Sequence, residues 1–226
     1  MTKSMWSIFS TSIIASLMFV NMYLIFFVAP TEQVMGDIQR LFYFHVPVVL
    51  TSFISFFASA VFSVLYLIRK KFYWDHVAYA SAETGLVFFT GAIITGAVWA
   101  KPVWNTWWVW DANGTLTFVL WLIFIGYLMV RTYAPTPERA RKWGASVSIL
   151  GAATVPFVYM AADWWGGLHP ERVTGPGAEG SLERSMLLIL LFSFACFLSL
   201  FVYLLVERYR QRSIEDTIMK INQNYL

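Results

Sequence analysis

Long apolar runs and short polar segments alternate along the chain. Six of the apolar runs are of the length that spans a bilayer as a helix, about 20 residues. They cover residues 6–28, 46–68, 77–99, 115–130, 145–162 and 185–206. Lipid gives backbone groups no hydrogen-bond partners, so a spanning run should be helical. The pattern predicts an all-α integral membrane protein with six transmembrane helices, forming one domain over residues 1–226.

The composition supports a membrane protein, since 58% of the residues are hydrophobic, 19% are aromatic and only 13% are charged. The first apolar run is longer than the core of a signal peptide, so we expect it to be retained as a helix. Cys196 is the only cysteine in the sequence, which rules out an intrachain disulfide and a C-x-x-C-H haem attachment motif. The chain is therefore not itself a c-type cytochrome.

Basic residues are distributed unevenly between the two sets of connecting segments. Twelve of the sixteen lysines and arginines flank one side of the predicted helices. The other side has Arg40, Lys101, Arg172 and Arg184. Because basic flanks are typically cytoplasmic, both termini are predicted to be cytoplasmic, and segments 29–45, 100–114 and 163–184 face outward. Topology then accounts for the net charge of +3. The sequence lacks the interleaved basic and aromatic residues that are typical of nucleic-acid binding.

The outward segment with the most unusual composition is the tryptophan-rich segment, residues 99–117, which reads W-A-K-P-V-W-N-T-W-W-V-W-D-A-N-G-T-L-T. It contains five of the eleven tryptophans. Tryptophans at an interface usually form an aromatic belt, but a belt distributes them around the whole protein. Trp104, Trp107 and Trp108 have helical spacings of three and four, which predicts a short helix at the membrane surface with an aromatic face.

Two of the three histidines share this outer side. His45 lies in R-L-F-Y-F-H-V-P at the start of the second helix, and His169 follows D-W-W-G-G-L in the last outer segment, whose Gly and Pro content predicts mobility. His76, beside Asp75, falls on the cytoplasmic side. A single histidine at a helix end is more often a hydrogen-bonded surface group than a ligand. Two histidines on the face that carries the tryptophans favour ligation for both.

These residue types together suit a haem, which is a flat apolar disc with two anionic propionates at its edge. It requires axial ligands such as imidazoles, aromatic side chains over the disc and cations at the rim. The candidate axial ligands are His45 and His169, the candidate aromatic cover is Trp104, Trp107, Trp108, Trp110, Trp164 and Trp165, and the candidate rim cations are Lys101, Arg40 and Arg172. Asp111 either caps the fourth helix or orders the tryptophans through an indole N–H, and the following Asn113 and Gly114 predict a turn.

Glu83 lies about two turns into the third helix. A carboxylate at this depth is a functional candidate, for proton handling or for packing, although its side chain could also reach the cytoplasmic edge. Gly85, Gly91 and Gly96 on the same helix favour close helix packing over a substrate path.

Several of these motifs occur together in a known family. A-Y-A-S-A-E-T-G and the tryptophan-rich segment, with Y-F-H-V-P upstream and D-W-W-G-G-L-H downstream, resemble the CcmC family of haem-handling proteins in cytochrome c maturation. The resemblance covers residues from about 41 to 205, and the six-helix length fits CcmC better than the longer CcsA-type synthases. It implies a bacterial inner-membrane protein that holds haem b transiently and non-covalently at the periplasmic face.

The resemblance also assigns roles and partners. It implies that His45 and His169 are the axial ligands, and that the haem is presented to the chaperone CcmE. Family partners would be CcmA, CcmB and CcmD, and this chain has no G-x-x-x-x-G-K-[ST] motif with which to hydrolyse ATP itself. The residues that match the tryptophan domain of the family are Trp104, Trp107, Trp108, Trp110 and Asp111.

The chain departs from the family pattern at three points. Asn105 stands where the pattern has glycine, the arginine expected after W-D is missing, and no asparagine follows the paired tryptophans before His169. If the missing arginine binds a propionate in relatives, then Lys101, Arg40 or Arg172 must replace it here.

Two other classes of function remain open from the sequence. A synthase-like enzyme that attaches haem to apocytochrome would need more histidines on the outer face than this chain has. A transporter that moves haem between its own helices would need a polar path, for which Glu83 is the only interior charge in the sequence.

Overall fold

The computed structural model of the protein describes residues 3–169 and 182–224. The described residues form six long helices, and each has an apolar stretch long enough to cross a membrane. The prediction of an all-α membrane protein with six spanning helices is confirmed. The helices are α1 (Lys3–Tyr23), α2 (Phe42–Arg69), α3 (Phe72–Trp104), α4 (Ala112–Tyr133), α5 (Pro137–Trp165) and α6 (Arg184–Asn224).

Helices α2 to α6 are longer than the apolar runs that they contain, because local signals outside those runs set where the helices begin and end. Lys70 adopts a left-handed conformation with φ of 54° and so ends α2 at Arg69. Thr136 caps α5 by accepting a hydrogen bond from the Arg139 amide at 3.3 Å, and Pro137 occupies the first helical position. The boundaries therefore follow caps and turns as well as hydrophobicity.

The centre of the bundle is an aromatic core between α2, α3 and α4. Phe56 stacks on Phe124 with ring centroids 3.7 Å apart, and it also contacts Phe89 edge to face at 5.5 Å. All three side chains are almost completely buried. Helix α1 is peripheral, and it packs mainly against α6.

Small residues bring the central helices close together, as the glycine pattern predicted. At Gly85 of α3 an added Cβ would lie 2.5 Å from the Ser55 hydroxyl oxygen of α2. Ser59 of α2 donates to the Ala78 carbonyl of α3 at 2.8 Å and contacts the Ser148 hydroxyl of α5 at 2.7 Å. Small side chains at such contacts allow tight packing in an apolar solvent.

The connectivity divides the bundle into two ends. The His45 end contains the starts of α2 and α4 and the ends of α3 and α5. The Asp75 end contains the short connections from α2 to α3 and from α4 to α5, together with the polar continuation of α6. His76 belongs to the Asp75 end, where it is buried and its Nε2 lies 2.7 Å from the Asp216 carboxylate of α6.

Candidate functional site

Four segments of the chain meet at the His45 end: the first turn of α2, the last turns of α3, the start of α4 and the residues that follow α5. They bring together side chains that are up to 124 positions apart in the sequence, from His45 to His169. These segments contain most of the residues that the sequence singled out.

The imidazole of His45 lies between α2 and α3. Its Nδ1 is 3.0 Å from the hydroxyl oxygen of Thr95, and its ring meets the Trp99 ring edge to face with centroids 5.8 Å apart. Glycine at position 96 makes this arrangement possible, because a Cβ there would lie only 3.0 Å from Cε1 of His45. The ring is therefore held by α3 as well as by its own helix.

His169 lies just beyond α5, in a stretch of chain that turns back over the end of the bundle. Gly166 and Gly167 follow the helix with φ values of 67° and 142°, a backbone conformation that favours glycine. His169 is exposed, and its imidazole is near enough to His45 for the charged forms of the two rings to interact electrostatically. The structure thus brings the two candidate ligands together at one end of the bundle.

Asp111 connects the tryptophan-rich segment to the chain beside His169. Its Oδ1 accepts a hydrogen bond from the Gly114 amide at 2.8 Å, which caps α4 as one of the two alternatives predicted. Its Oδ2 accepts from the backbone amide of Leu168 at 3.1 Å, the residue before His169. One carboxylate therefore fixes two chain segments of the site.

Asn113 and Gly114 lie inside the first turn of α4, so the turn predicted at these two residues is wrong. The Asn113 side-chain amide donates to the Val158 carbonyl of α5 at 3.2 Å and ties the two helices together. A Cβ at Gly114 would collide with the Val109 carbonyl oxygen, so the backbone at the start of α4 leaves no room for a larger residue.

The predicted short interfacial helix through Trp104, Trp107 and Trp108 is also wrong. Trp104 is the last residue of α3, and residues 105–111 are not helical. Asn105 stops the helix because it adopts the left-handed conformation, with φ of 55°. The helical spacing of the three tryptophans therefore does not place them on one helix face.

The tryptophans instead form an irregular aromatic surface at this end. Trp107 and Trp110 are 60% and 68% exposed, and Trp108 is half-buried and contacts Trp110 edge to face at 6.1 Å. Trp164 and Trp165 at the end of α5 are also more than half exposed, with centroids 5.6 Å apart. Exposure of this much indole surface suits a flat apolar ligand or the membrane interface.

Two indole nitrogens at this end are buried without an acceptor among the described residues. They belong to Trp99, which contacts His45, and to Trp108. An indole N–H can only donate, and a buried donor is normally satisfied. A carboxylate brought in by a ligand would satisfy such donors. Two imidazoles, exposed aromatic rings and unsatisfied N–H groups form a set that fits a haem with its propionates.

The candidate rim cations have different surroundings. Arg40 pairs with Asp37 at 3.0 Å and donates to the Ile25 and Ala29 carbonyls, so its guanidinium stabilises the connection between α1 and α2. The Lys101 ammonium contacts only the exposed Asn105 among the described residues, donating to its backbone and side-chain oxygens at 3.2 Å each. Arg172 and most of segment 163–184 lie outside the described residues.

The connection between α1 and α2 contains one acid with a shifted pKa. Hydrogen bonds from the backbone amides of Met35 and Val34 lower the pKa of the exposed Glu32 carboxyl from its ordinary value. The carboxylate organises its own turn and makes no contact with the histidines in the described structure.

Glu83 is not part of this site. It lies toward the Asp75 end, where its carboxylate forms an ion pair with Arg208 of α6. Arg208 also contacts Glu215 at 3.2 Å, and its guanidinium lies over the Tyr79 ring. Of the two roles that the sequence left open for Glu83, packing is the one that these contacts between α3 and α6 favour.

Sequence reasoning missed Thr95 and did not connect Trp99 or Gly96 with His45. The available signal was a spacing of four along α3, since Gly91, Thr95 and Trp99 fall on one helix face. Only the packing of α2 against that face identifies His45 as their neighbour.

Comparison with known proteins gives one family model over almost the whole chain and relatives that cover most of it. The CcmC family model, described as heme exporter protein C, matches residues 1–223. The chain is similar to a cytochrome c biosynthesis ccmC-like mitochondrial protein of Marchantia polymorpha, with 32% identity over 77% of this chain and 74% of the relative. It is also similar to heme exporter protein C of Bradyrhizobium diazoefficiens, with 30% identity over 85% and 73%, and of Haemophilus influenzae, with 27% identity over 83% and 76%.

Proposed function

Because the chain belongs to the CcmC family of heme exporter protein C, we propose that it binds haem at the His45 end and delivers it for cytochrome c maturation. The observation that carries this proposal is the meeting of His45, His169 and the tryptophan-rich segment at one end of a six-helix bundle. The ligand is haem b, held transiently and without a covalent bond, with an imidazole on each face of the iron.

Each residue of the site has a distinct role in this proposal. His45 is the ligand on a rigid helix, and His169 is the ligand on an exposed segment that Asp111 holds through Leu168. The exposed rings of Trp107, Trp110, Trp164 and Trp165, with Trp104 and Trp108 beside them, cover the macrocycle. One fixed and one exposed ligand suit a cargo that must leave again.

The propionates have candidate binding groups in this structure despite the missing family arginine. Lys101 is the candidate cation, since Arg40 is already bound within its own connection. The buried indole N–H groups of Trp99 and Trp108 supply two further donors. Arg172 remains a candidate from the sequence alone.

The His45 end faces the periplasm across the bacterial inner membrane in this proposal. The Asp75 end contains Arg69, Lys70 and Lys71 in its first connection and further basic residues in the next. Such flanks are typical of the cytoplasmic side. Haem is then presented outward, to the chaperone CcmE. The ATPase CcmA supplies the ATP hydrolysis, and CcmB and CcmD complete the complex within the lipid membrane.

Haem handling without catalysis fits the site better than the two other functions. The site presents two histidines on the outer side, and synthase activity would need more. A transport path between the helices has no support in the described core, where Phe56, Phe89 and Phe124 are packed together and Glu83 is paired with Arg208.

The test is the haem spectrum of the detergent-purified protein and of two variants. The unmodified protein should give a low-spin spectrum of two axial imidazoles, and His45→Ala and His169→Ala should each lose it and bind haem at least tenfold more weakly. His76→Gln is the matched control, because His76 lies at the Asp75 end and should leave the spectrum unchanged. An unchanged spectrum in both alanine variants would refute the assignment of the ligands.

A further inference from the structure

The hydrogen bond between His45 and Thr95 contains information about the protonation of the imidazole. The Thr95 hydroxyl oxygen lies 3.0 Å from Nδ1 of His45. The same oxygen lies 2.9 Å from the Gly91 carbonyl and 3.1 Å from the Ala92 carbonyl of its own helix. A threonine within a helix commonly donates its hydroxyl proton to the carbonyl three or four residues earlier.

The number of protons decides the direction of the bond to histidine. A hydroxyl has one proton to donate, and backbone carbonyls can only accept. When the Thr95 proton is donated to α3, the hydroxyl must accept from His45, so Nδ1 carries a hydrogen.

Thr90, a second threonine of α3, has the same two kinds of contact, and here the side chain that donates to its hydroxyl is certain. The Thr90 hydroxyl donates to the Leu86 carbonyl at 2.8 Å, and the Trp121 indole nitrogen of α4 lies 3.0 Å from the Thr90 oxygen. Indole nitrogen can only donate, so Thr90 accepts there. The helix thus uses the same arrangement twice, once toward Trp121 and once toward His45.

We infer that Thr95 is a positioning residue that holds His45 as the Nδ1–H tautomer and leaves Nε2 as the nitrogen that binds iron. The inference rests on the proposed haem site. It explains how a neutral imidazole at a helix start is kept in one tautomer and one orientation, since Thr95 binds one edge of the ring and Gly96 lets it lie against α3.

A hydroxyl acceptor also suits release of the cargo. A ligating histidine usually donates its other N–H to an oxygen, which orients the ring and increases the basicity of the ligating nitrogen. A neutral hydroxyl increases that basicity less than a carboxylate does. Thr95 therefore orients His45 but leaves it a weaker iron ligand than it would be beside a carboxylate.

The first experiment measures the tautomer directly in the full-length protein without haem. Labelling with ¹⁵N-histidine gives three imidazoles, which the His76→Gln and His169→Ala variants assign. At pH 8, His45 should show a protonated Nδ1 and an unprotonated Nε2. Thr95→Ser should keep this pattern, and Thr95→Val should lose it in favour of Nε2–H or a mixture.

The second experiment measures the consequence for haem binding in the same variants. Thr95→Val should weaken haem binding about tenfold, the lower end of the effects found when such a partner is removed, and should shift the electron paramagnetic resonance of the low-spin iron. Thr95→Ser should restore both. Thr90→Val is the matched control, since it removes the same kind of hydroxyl one and a half turns away and should change neither.

A protonated Nε2 at His45 in the unmodified protein would overturn the inference, and this result does not depend on how well any variant folds. A Thr95→Val protein that keeps the Nδ1–H tautomer would overturn it as well. The proposed function fails separately, when His45→Ala and His169→Ala keep the haem spectrum whatever tautomer is found.

Discussion

Asp111 is the residue on which the local geometry of the site depends most directly. Its two carboxylate oxygens accept from two different segments, the Gly114 amide in α4 and the Leu168 amide beside His169. A carboxylate is an acceptor at both oxygens, whereas an amide side chain accepts at only one. Asp111 therefore holds the chain beside His169 in addition to capping α4.

Substitution of Asp111 should separate its two roles. Asp111→Ala should destabilise the protein by about 0.5–2 kcal/mol through loss of the cap and should weaken haem binding more than tenfold because the chain at His169 is released. Asp111→Asn keeps one acceptor. Its stability and its haem affinity should therefore lie between those of Asp111→Ala and those of the unmodified protein. Haem titration and thermal unfolding of the same preparations measure both effects.

Thr136→Ala is the appropriate comparison for Asp111. It also removes a helix cap, but Thr136 lies at the start of α5, at the Asp75 end. It should lower thermal stability without changing haem affinity. If Thr136→Ala and Asp111→Ala lost equal haem affinity, the loss in Asp111→Ala would be explained by reduced stability alone.

At the scale of the elements, the exit from α3 decides how the tryptophans are presented. Asn105 is left-handed, and its oxygens accept from Lys101 one turn earlier. The family pattern has glycine here, and asparagine is among the few other residues that adopt this conformation readily. The departure of this sequence from the pattern therefore preserves the backbone geometry.

Because residue 105 is left-handed, glycine should be tolerated there and a β-branched side chain should be destabilising. Asn105→Gly should keep haem binding within about twofold, since the backbone conformation costs glycine nothing. Asn105→Val should lose about 1–2 kcal/mol of stability and most of the haem binding, because α3 would either be strained or continue into the tryptophans. Chemical unfolding and haem titration distinguish the two variants.

A valine that leaves both haem affinity and stability unchanged would contradict this explanation of Asn105. Val103→Ala, two residues earlier and still within α3, controls for a general sensitivity of the helix end. Its haem affinity should stay close to that of the unmodified protein.

At the scale of the whole molecule, a buried charged cluster joins four helices at the Asp75 end. Asp75 of α3 accepts hydrogen bonds from Nη1 and Nη2 of Arg131 in α4, and Arg141 of α5 lies 3.4 Å from the same carboxylate. Arg141 also lies 3.0 Å from Asp216 of α6, which binds His76. Paired charges of this kind are costly to break because the remaining partner stays buried.

Asp75→Asn should therefore destabilise the bundle strongly, by about 3–5 kcal/mol, while leaving the spectrum of haem bound to the folded fraction unchanged. The charged cluster and the proposed haem site lie at opposite ends of the helices. The substitution should therefore change the stability of the bundle without changing the ligands of the iron. Thermal unfolding followed by tryptophan fluorescence measures the first effect, and the haem spectrum measures the second. Glu138→Gln, which breaks an exposed pair with Lys142, should change neither.

A different haem spectrum in folded Asp75→Asn would show that the two ends are coupled. An unchanged unfolding temperature would instead show that the cluster contributes little to holding the helices together.

The amino-acid sequence by itself determined the membrane class, the number of helices and the segments that contain the candidate site. These follow from the length of the apolar runs and from residue types that only a few ligands require, and both are local properties of the chain. The candidate residues His45, His169 and the tryptophans were also identifiable before any contact was known, because they were chosen by residue type and predicted topology.

Only the tertiary structure decided which residues are neighbours and what each one does. The Asn105 conformation ended α3 and replaced the predicted interfacial helix, and the packing of α2 on α3 placed Thr95 against His45. The pairing of Asp75 with Arg131 joined two charges 56 positions apart, a contact that the sequence did not predict. Such contacts depend on how helices pack across the bundle, and the periodicity of a single helix contains no information about its neighbours.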